Sequence, residues 1–311
     1  MRDIWPPREL PDIPQEVEDA AVAGSLVMFI GAGVSRLAGG PSWDEFAVGL
    51  LRFLADRRII TFGDIQQLSH LDARKQLTIA SQIAQGEDLN IDYKSLLQVS
   101  ENKSNIYNHI NQIGCSYVTT NYDTFLHPRL LSSSDGSESS GRAGGGGPIC
   151  KPQQFLAGVL REPGTVVYLH GCVDEPDSMV ITTTDYLRHY DNNYVQEFLG
   201  ELFEKHTVLF VGYGLEEYEI LEHMLRKGKI SGGQERKRFI LQGFYSHQQN
   251  IYRHLYDYFK KCFGMYLISF NMDYQEHHQL EYIMSDWAPR LEVRKPALAD
   301  DLRFIEEVAS E

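Results

Sequence analysis

The chain has 311 residues, 42% of them hydrophobic and 11% aromatic, a globular composition that excludes a disordered or fibrous protein. The 43 acidic side chains outnumber the 29 basic ones and leave a net charge of −14, which argues against a broad basic footprint for nucleic acid. At roughly 150 residues per domain, the length fits two domains or one α/β domain with insertions.

Residues 1–23 read as an N-terminal arm and helix. The opening MRDIWPPRELPDIPQEVEDA is proline-rich and acidic, with no apolar stretch of the kind a signal sequence needs. No run anywhere approaches the ~18 apolar residues that span a bilayer. Cys115, Cys150, Cys172 and Cys262 form no C-x-x-C pair, so neither a disulfide framework nor a cysteine zinc site is expected. These features predict a cytoplasmic protein with no membrane partner.

Apolar runs alternate with segments of helical period, the pattern of a mostly parallel sheet with helices on both faces. Leu26 to Ile30 is the first expected strand, and Gly31-Ala32-Gly33-Val34-Ser35 follows it directly. Such a turn brings backbone amides close to a pyrophosphate, or serves only as a tight corner; the full G-x-G-x-x-G spacing is not met. Residues 41–112 read as a helical insertion, in which Trp43, Phe46, Ala47, Leu50, Leu51 and Leu54 share one helix face expected to pack into a core.

Cys115 to Thr119 is the next strand, ending in Thr120, Asn121 and Asp123. Open α/β sheets bind ligands at such ends, although either acidic-amide residue also suits a helix N-cap. Residues 132–147, SSSDGSESSGRAGGGG, read as a flexible loop. Val166 to Leu169 delivers His170, a candidate proton acceptor or a buried structural histidine, to a third strand end. Met179 to Ile181, Val208 to Val211, Phe239 to Leu241 and Met265 to Ser269 are the remaining expected strands, and Gly212-Tyr213-Gly214 makes a second glycine turn. QERKRF, with Glu235 to Arg238, reads as a solvated turn rather than a nucleic-acid site. Residues 24–273 thus form one expected domain, with 274–311 a C-terminal helical segment. Parallel strands present their C-terminal ends together, so the four polar or glycine-bearing ends are expected to share one crevice.

The order GAGVS (31–35), TTNYD (119–123), LHG (169–171) and GYG (212–214) resembles the sirtuin superfamily over about residues 24–225. The resemblance implies a Rossmann-like site for NAD. It implies that Gly31, Ala32, Gly33 and Ser35 hold the phosphates, that Asn121 and Asp123 lie beside the nicotinamide ribose, and that Thr120 also binds the cofactor. His170 would be the catalytic histidine, and Gly212, Tyr213 and Gly214 would line the adenosine side. The zinc module of the protein deacylases is missing, since Cys172 stands alone and no metal is expected. Thr120 replaces their glutamine, and Pro41-Ser42-Trp43-Asp44 replaces their Pro-Asp-Phe-Arg loop. With its Pro-Ser-Trp and ITTTDY, the chain is more similar to the bacterial anti-phage branch. There the resemblance implies an effector that hydrolyses NAD to ADP-ribose and nicotinamide, working as a homo-oligomer with a HerA-type hexameric ATPase and not itself binding nucleic acid. A protein deacylase and a non-catalytic NAD or ADP-ribose sensor are the alternatives.

Overall fold

The computed structural model describes residues 5–97, 104–132, 138–140, 148–156, 158–214, 218–227 and 237–295. Six parallel strands form the main sheet: β1 (Leu26–Ile30), β2 (Ser116–Thr119), β3 (Val166–Tyr168), β4 (Thr207–Val211), β5 (Arg238–Phe244) and β6 (Tyr266–Asn271). Their spatial order is β3-β2-β1-β4-β5-β6. The chain therefore builds outward from β1 in one direction, returns to the centre, and builds outward in the other, which is the dinucleotide-binding Rossmann order. The order reverses between β1 and β4, where such sheets open a crevice.

The helices are α1 (Gln15–Val22), α2 (Ala32–Leu37), α3 (Trp43–Asp56), α4 (Phe62–Leu68), α5 (Ala73–Gly86), α6 (Tyr93–Leu96), α7 (Ile106–Ile113), α8 (Thr183–Tyr190), α9 (Asn193–Lys205), α10 (Tyr218–Lys227), α11 (Gln249–Tyr258) and α12 (Gln279–Leu291). Alternate residues of each strand face opposite sides. Met28 and Ile30 join Tyr117, Leu209 and Val211 beneath α1, α7 and α12, with Ile110 and the fully buried Trp287 among them. Val27 and Phe29 join Val118, Val208 and Phe210 beneath α9 and α10, with Phe198 and Leu199. Both faces are covered, which is why the central strands read as unbroken apolar runs.

Between β1 and β2, α3 to α6 form a core of their own. Phe46, Ala47, Leu50, Leu51 and Leu54 are buried against Leu77, Ala80 and Ala84, as the helical spacing predicts. Trp43, half-buried, packs against the edge of that core and also lines a pocket, as Phe46 does. Ser42 caps α3 in a reciprocal capping box with Glu45, and Thr182 caps α8 likewise with Asp185.

Met179 to Ile181 is not a strand. The run follows a turn at Pro176–Ser178, and Met179 and Ile181 are buried in the core of the helical insertion, so burial alone produced its strand-like composition. The low-complexity stretch lies largely outside the described residues; short strands Arg129–Ser132, Glu138–Ser140 and Arg294–Lys295 form a small second sheet. Of the C-terminal segment, α12 is helical, and residues 296–311 lie outside the described residues.

Candidate functional site

Register sets the site. Ile30 pairs with Thr119 and with Val211, and Thr119 pairs with Tyr168, so four adjacent strands end level. The next residues along the chain are Gly31, Thr120, Leu169 and Gly212, which brings the four sequence motifs into one row across the switch point.

The two glycine turns meet backbone to backbone. The Gly31 N–H donates to the Val211 carbonyl at 3.0 Å and the Gly33 N–H to the Gly212 carbonyl at 2.7 Å. A Cβ on Gly31 would lie 2.6 Å from the Gly212 oxygen, and one on Gly33 would lie 2.7 Å from it. Gly212 itself has φ +62°, and a Cβ there would meet the Val34 nitrogen at 2.7 Å. Close packing of the turns thus accounts for these three glycines, and it uses the Gly33 N–H that the phosphate-cradle expectation assigns to a ligand. Tyr213 is buried, its ring edge-on to Phe29 at 5.3 Å between centroids, while Gly214 is exposed.

Beside these turns opens a pocket of about 580 Å³ including its solvent mouth. Ala32, Ser35, Thr120, Asn121 and Asp123 line it, and Pro41, Trp43, Phe46 and Leu97 supply apolar surface. A relay of hydrogen bonds fixes Asn121: Thr119 Oγ1 donates to the Ile30 carbonyl at 2.9 Å and accepts the Asn121 N–H at 3.0 Å, and Asn121 Nδ2 donates to the Gly31 carbonyl at 3.0 Å. Neither Asn121 nor Asp123 caps a helix, because the chain from Thr120 to Pro128 has no regular structure. Asp123 instead accepts hydrogen bonds from Ser35 Oγ, from the Tyr107 hydroxyl at 2.9 Å and from the Phe125 N–H at 3.3 Å. Burial pushes its carboxyl above the ordinary range, against the pull of those donors. Tyr107 escaped the sequence reading because its only signal, a polar atom on the buried face of α7, looks like any core tyrosine.

His170 stands apart from this pocket. Its side chain is fully buried, and Tyr186, His189 and Tyr190 of α8 surround it at centroid distances of 5.0, 5.8 and 5.8 Å. Nε2 lies 2.7 Å from the Tyr190 hydroxyl, and Nδ1 has no partner. Burial first, then His189 and Arg74, holds its pKa well below the usual histidine range. In this arrangement the imidazole is neutral and covered. Cys172, two residues on, is buried with Cys150 and Tyr168, and burial pushes its thiol up to about 11.

Residues 116–261 match the family model described as a SIR2-like domain. The matched stretch carries Asn121, Asp123, His170 and the Gly212 turn, and begins at β2. It supports a sirtuin-like family and NAD-related activity. No curated protein matches the chain. Among the described residues, no group of three or more His, Cys, Asp or Glu side chains is placed to hold a metal ion, and no helix is long and apolar enough to cross a membrane.

Proposed function

We propose that this chain is an NAD+ glycohydrolase that releases nicotinamide and ADP-ribose. The observation that carries the reading is the pocket at the ends of β1 and β2, which sets Ser35, Asn121 and Asp123 beside the apolar surface of Trp43 and Phe46. Polar groups suit ribose hydroxyls, and an apolar surface suits a planar nicotinamide ring. The Rossmann strand order and the SIR2-like match support the same substrate.

In this mechanism the bond between ribose C1′ and the nicotinamide nitrogen breaks, and its electron pair leaves with neutral nicotinamide. The ribose becomes oxocarbenium-like, and Asp123 opposes that charge as an anion. Asn121, held on the Gly31 carbonyl, orients the ribose and the attacking water. The water oxygen bonds to C1′ and its proton passes to His170, which α8 must first uncover. Thr120 and Ala32 contact the nicotinamide half and the neighbouring phosphate, and Gly212 to Gly214 border the adenosine side. On the resemblance to the defence branch, the chain acts as an NAD-depleting anti-phage effector, homo-oligomeric and paired with a HerA-type hexameric ATPase.

One observation favours a second reading, a scaffold that binds NAD or ADP-ribose without turning it over: His170 has no exposed surface. Incubation of the full chain with NAD, alone and with the ATPase, followed by mass spectrometry of the products, decides between them. Nicotinamide and ADP-ribose formed without an acyl acceptor are expected, and His170→Ala should slow their release by ~10²- to 10⁴-fold. Product that appears only as O-acyl-ADP-ribose in the presence of an acylated peptide means deacylation. ADP-ribose binding with no NAD consumed, with or without the ATPase, overturns hydrolysis in favour of the scaffold.

A further inference from the structure

The polar corner of the pocket has a member that none of the four motifs contains. Tyr107 comes from α7; its ring packs against Phe125 at 5.4 Å between centroids, and only 7% of the residue is exposed. Its hydroxyl donates to Asp123 Oδ2 at 2.9 Å and lies 3.1 Å from Ser35 Oγ. Ser35 donates to the same carboxylate oxygen, and the Phe125 N–H reaches the other. Donors from α7, from α2 and from the loop after β2 thus converge on one carboxylate, and both Ser35 and Asp123 line the pocket.

A carboxylate in a desolvated corner stays ionised only where donors replace its lost water. Among the described residues, the groups acting on this carboxylate are Tyr107, which titrates, and the neutral Ser35 hydroxyl, Phe125 N–H and Asp123 backbone N–H. Burial and the neighbouring carboxylate hold the Tyr107 phenol well above its ordinary range, so the phenol remains a protonated donor.

We infer that Tyr107 is a positioning residue of this pocket: its hydroxyl fixes Asp123 and Ser35 in one orientation and keeps the Asp123 carboxylate anionic where the positive charge of a cleaving nicotinamide riboside develops. The inference takes its ligand from the NAD-cleavage reading above, and its hydrogen-bond role from the geometry alone.

Tyr107→Phe removes the hydroxyl and keeps the ring against Phe125. Carbon-13 NMR of the Asp123 carboxyl, recorded across pH in wild type and variant, reads the carboxylate directly. The variant is expected to titrate about one pH unit higher, the loss of one hydrogen bond to a charged group. The acid limb of kcat for NAD hydrolysis should move upward by the same amount, with KM changed far less than kcat. An Asp123 that titrates at the same pH in both proteins overturns the inference. Should Tyr107→Phe fail to fold, difluorotyrosine at position 107, a stronger donor of the same shape, must shift Asp123 downward, and no shift overturns it equally. If wild type cleaves no NAD while Asp123 still responds to position 107, the cleavage reading falls and the hold of Tyr107 on Asp123 stands.

Discussion

Gly33 and Gly49 show how differently one residue type reads in this chain. A Cβ on Gly33 would sit 2.7 Å from the Gly212 oxygen, a backbone atom that cannot move without displacing the end of β4. Gly49 lies inside α3, where a Cβ would meet only Leu96 Cδ2 at 3.6 Å, an ordinary contact. Gly33→Ala should therefore destabilise the protein by about 1–3 kcal/mol, whereas Gly49→Ala should stabilise it by about 0.5–1 kcal/mol through helix propensity and a less flexible unfolded chain. Urea unfolding of both variants checks the pair. Equal midpoints would show that the two glycine turns do not meet as described. The sequence marked Gly31 and Gly33 as unusual, but a G-x-G after a strand has the same spelling whether it cradles a phosphate or receives another turn. Only the register of Ile30 with Val211 brings Gly212 opposite.

The central strands β1, β2 and β4 were legible because each is buried on both sides, so a short apolar run bounded by turns had one good home. The starts of α3 and α8 carry a local cue that the sequence analysis left unused, since Ser42 with Glu45 and Thr182 with Asp185 form capping boxes. Met179 to Ile181 misled because an apolar run buried by helices has the same composition. The covering of His170 was illegible for a related reason: the residues that cover it come from α8, and helical spacing says which face is buried but not against what. That covering carries a consequence for activity. Thr183 at the start of α8 donates its N–H to Thr78 Oγ1 of α5 at 2.9 Å, and the two hydroxyls lie 3.2 Å apart. Cysteines at positions 78 and 183 should cross-link and pin α8 over His170. If His170 takes the proton, the oxidised variant should lose NAD hydrolysis and regain it on reduction. Full turnover by the cross-linked protein would mean that α8 need not move.

At the scale of the whole molecule, two sets of titrating groups govern acid stability in separate windows. Several carboxylates held below their ordinary range are exposed groups at helix starts: Glu45 and Asp64 are lowered chiefly by the Ser42 and Thr61 backbone N–H groups, Asp72 by the Lys75 ammonium and then its N–H, and Asp92 by the Ser95 hydroxyl and then its N–H. Their contributions are full above the ordinary carboxylate range and are lost progressively as pH falls through it toward the lowered folded values. The buried histidines act earlier. Burial lowers His170 well below 6.5, His189 to about 4, and His206 in the same direction. A histidine depressed in the folded state binds its proton first in the unfolded state, so stability rises with pH through this window. It is complete above the unfolded value of 6.5 and is lost as pH falls toward about 4 for His189. Asp123, raised by burial, takes up a proton first in the folded state and offsets part of that loss. His189 alone should account for about 2 kcal/mol between about pH 7 and pH 5. Replacement by phenylalanine keeps a ring against Phe155 and Tyr190 but cannot titrate. Urea unfolding of wild type and His189→Phe at those two pH values reads the difference, because Asp123 and His206 are common to both and burial, the larger cause of the His170 shift, is retained. A shallower decline in the variant is expected. The same decline in both would mean that His189 is hydrated or already charged in the folded protein, and α8 would then cover His170 less tightly than the ring contacts indicate.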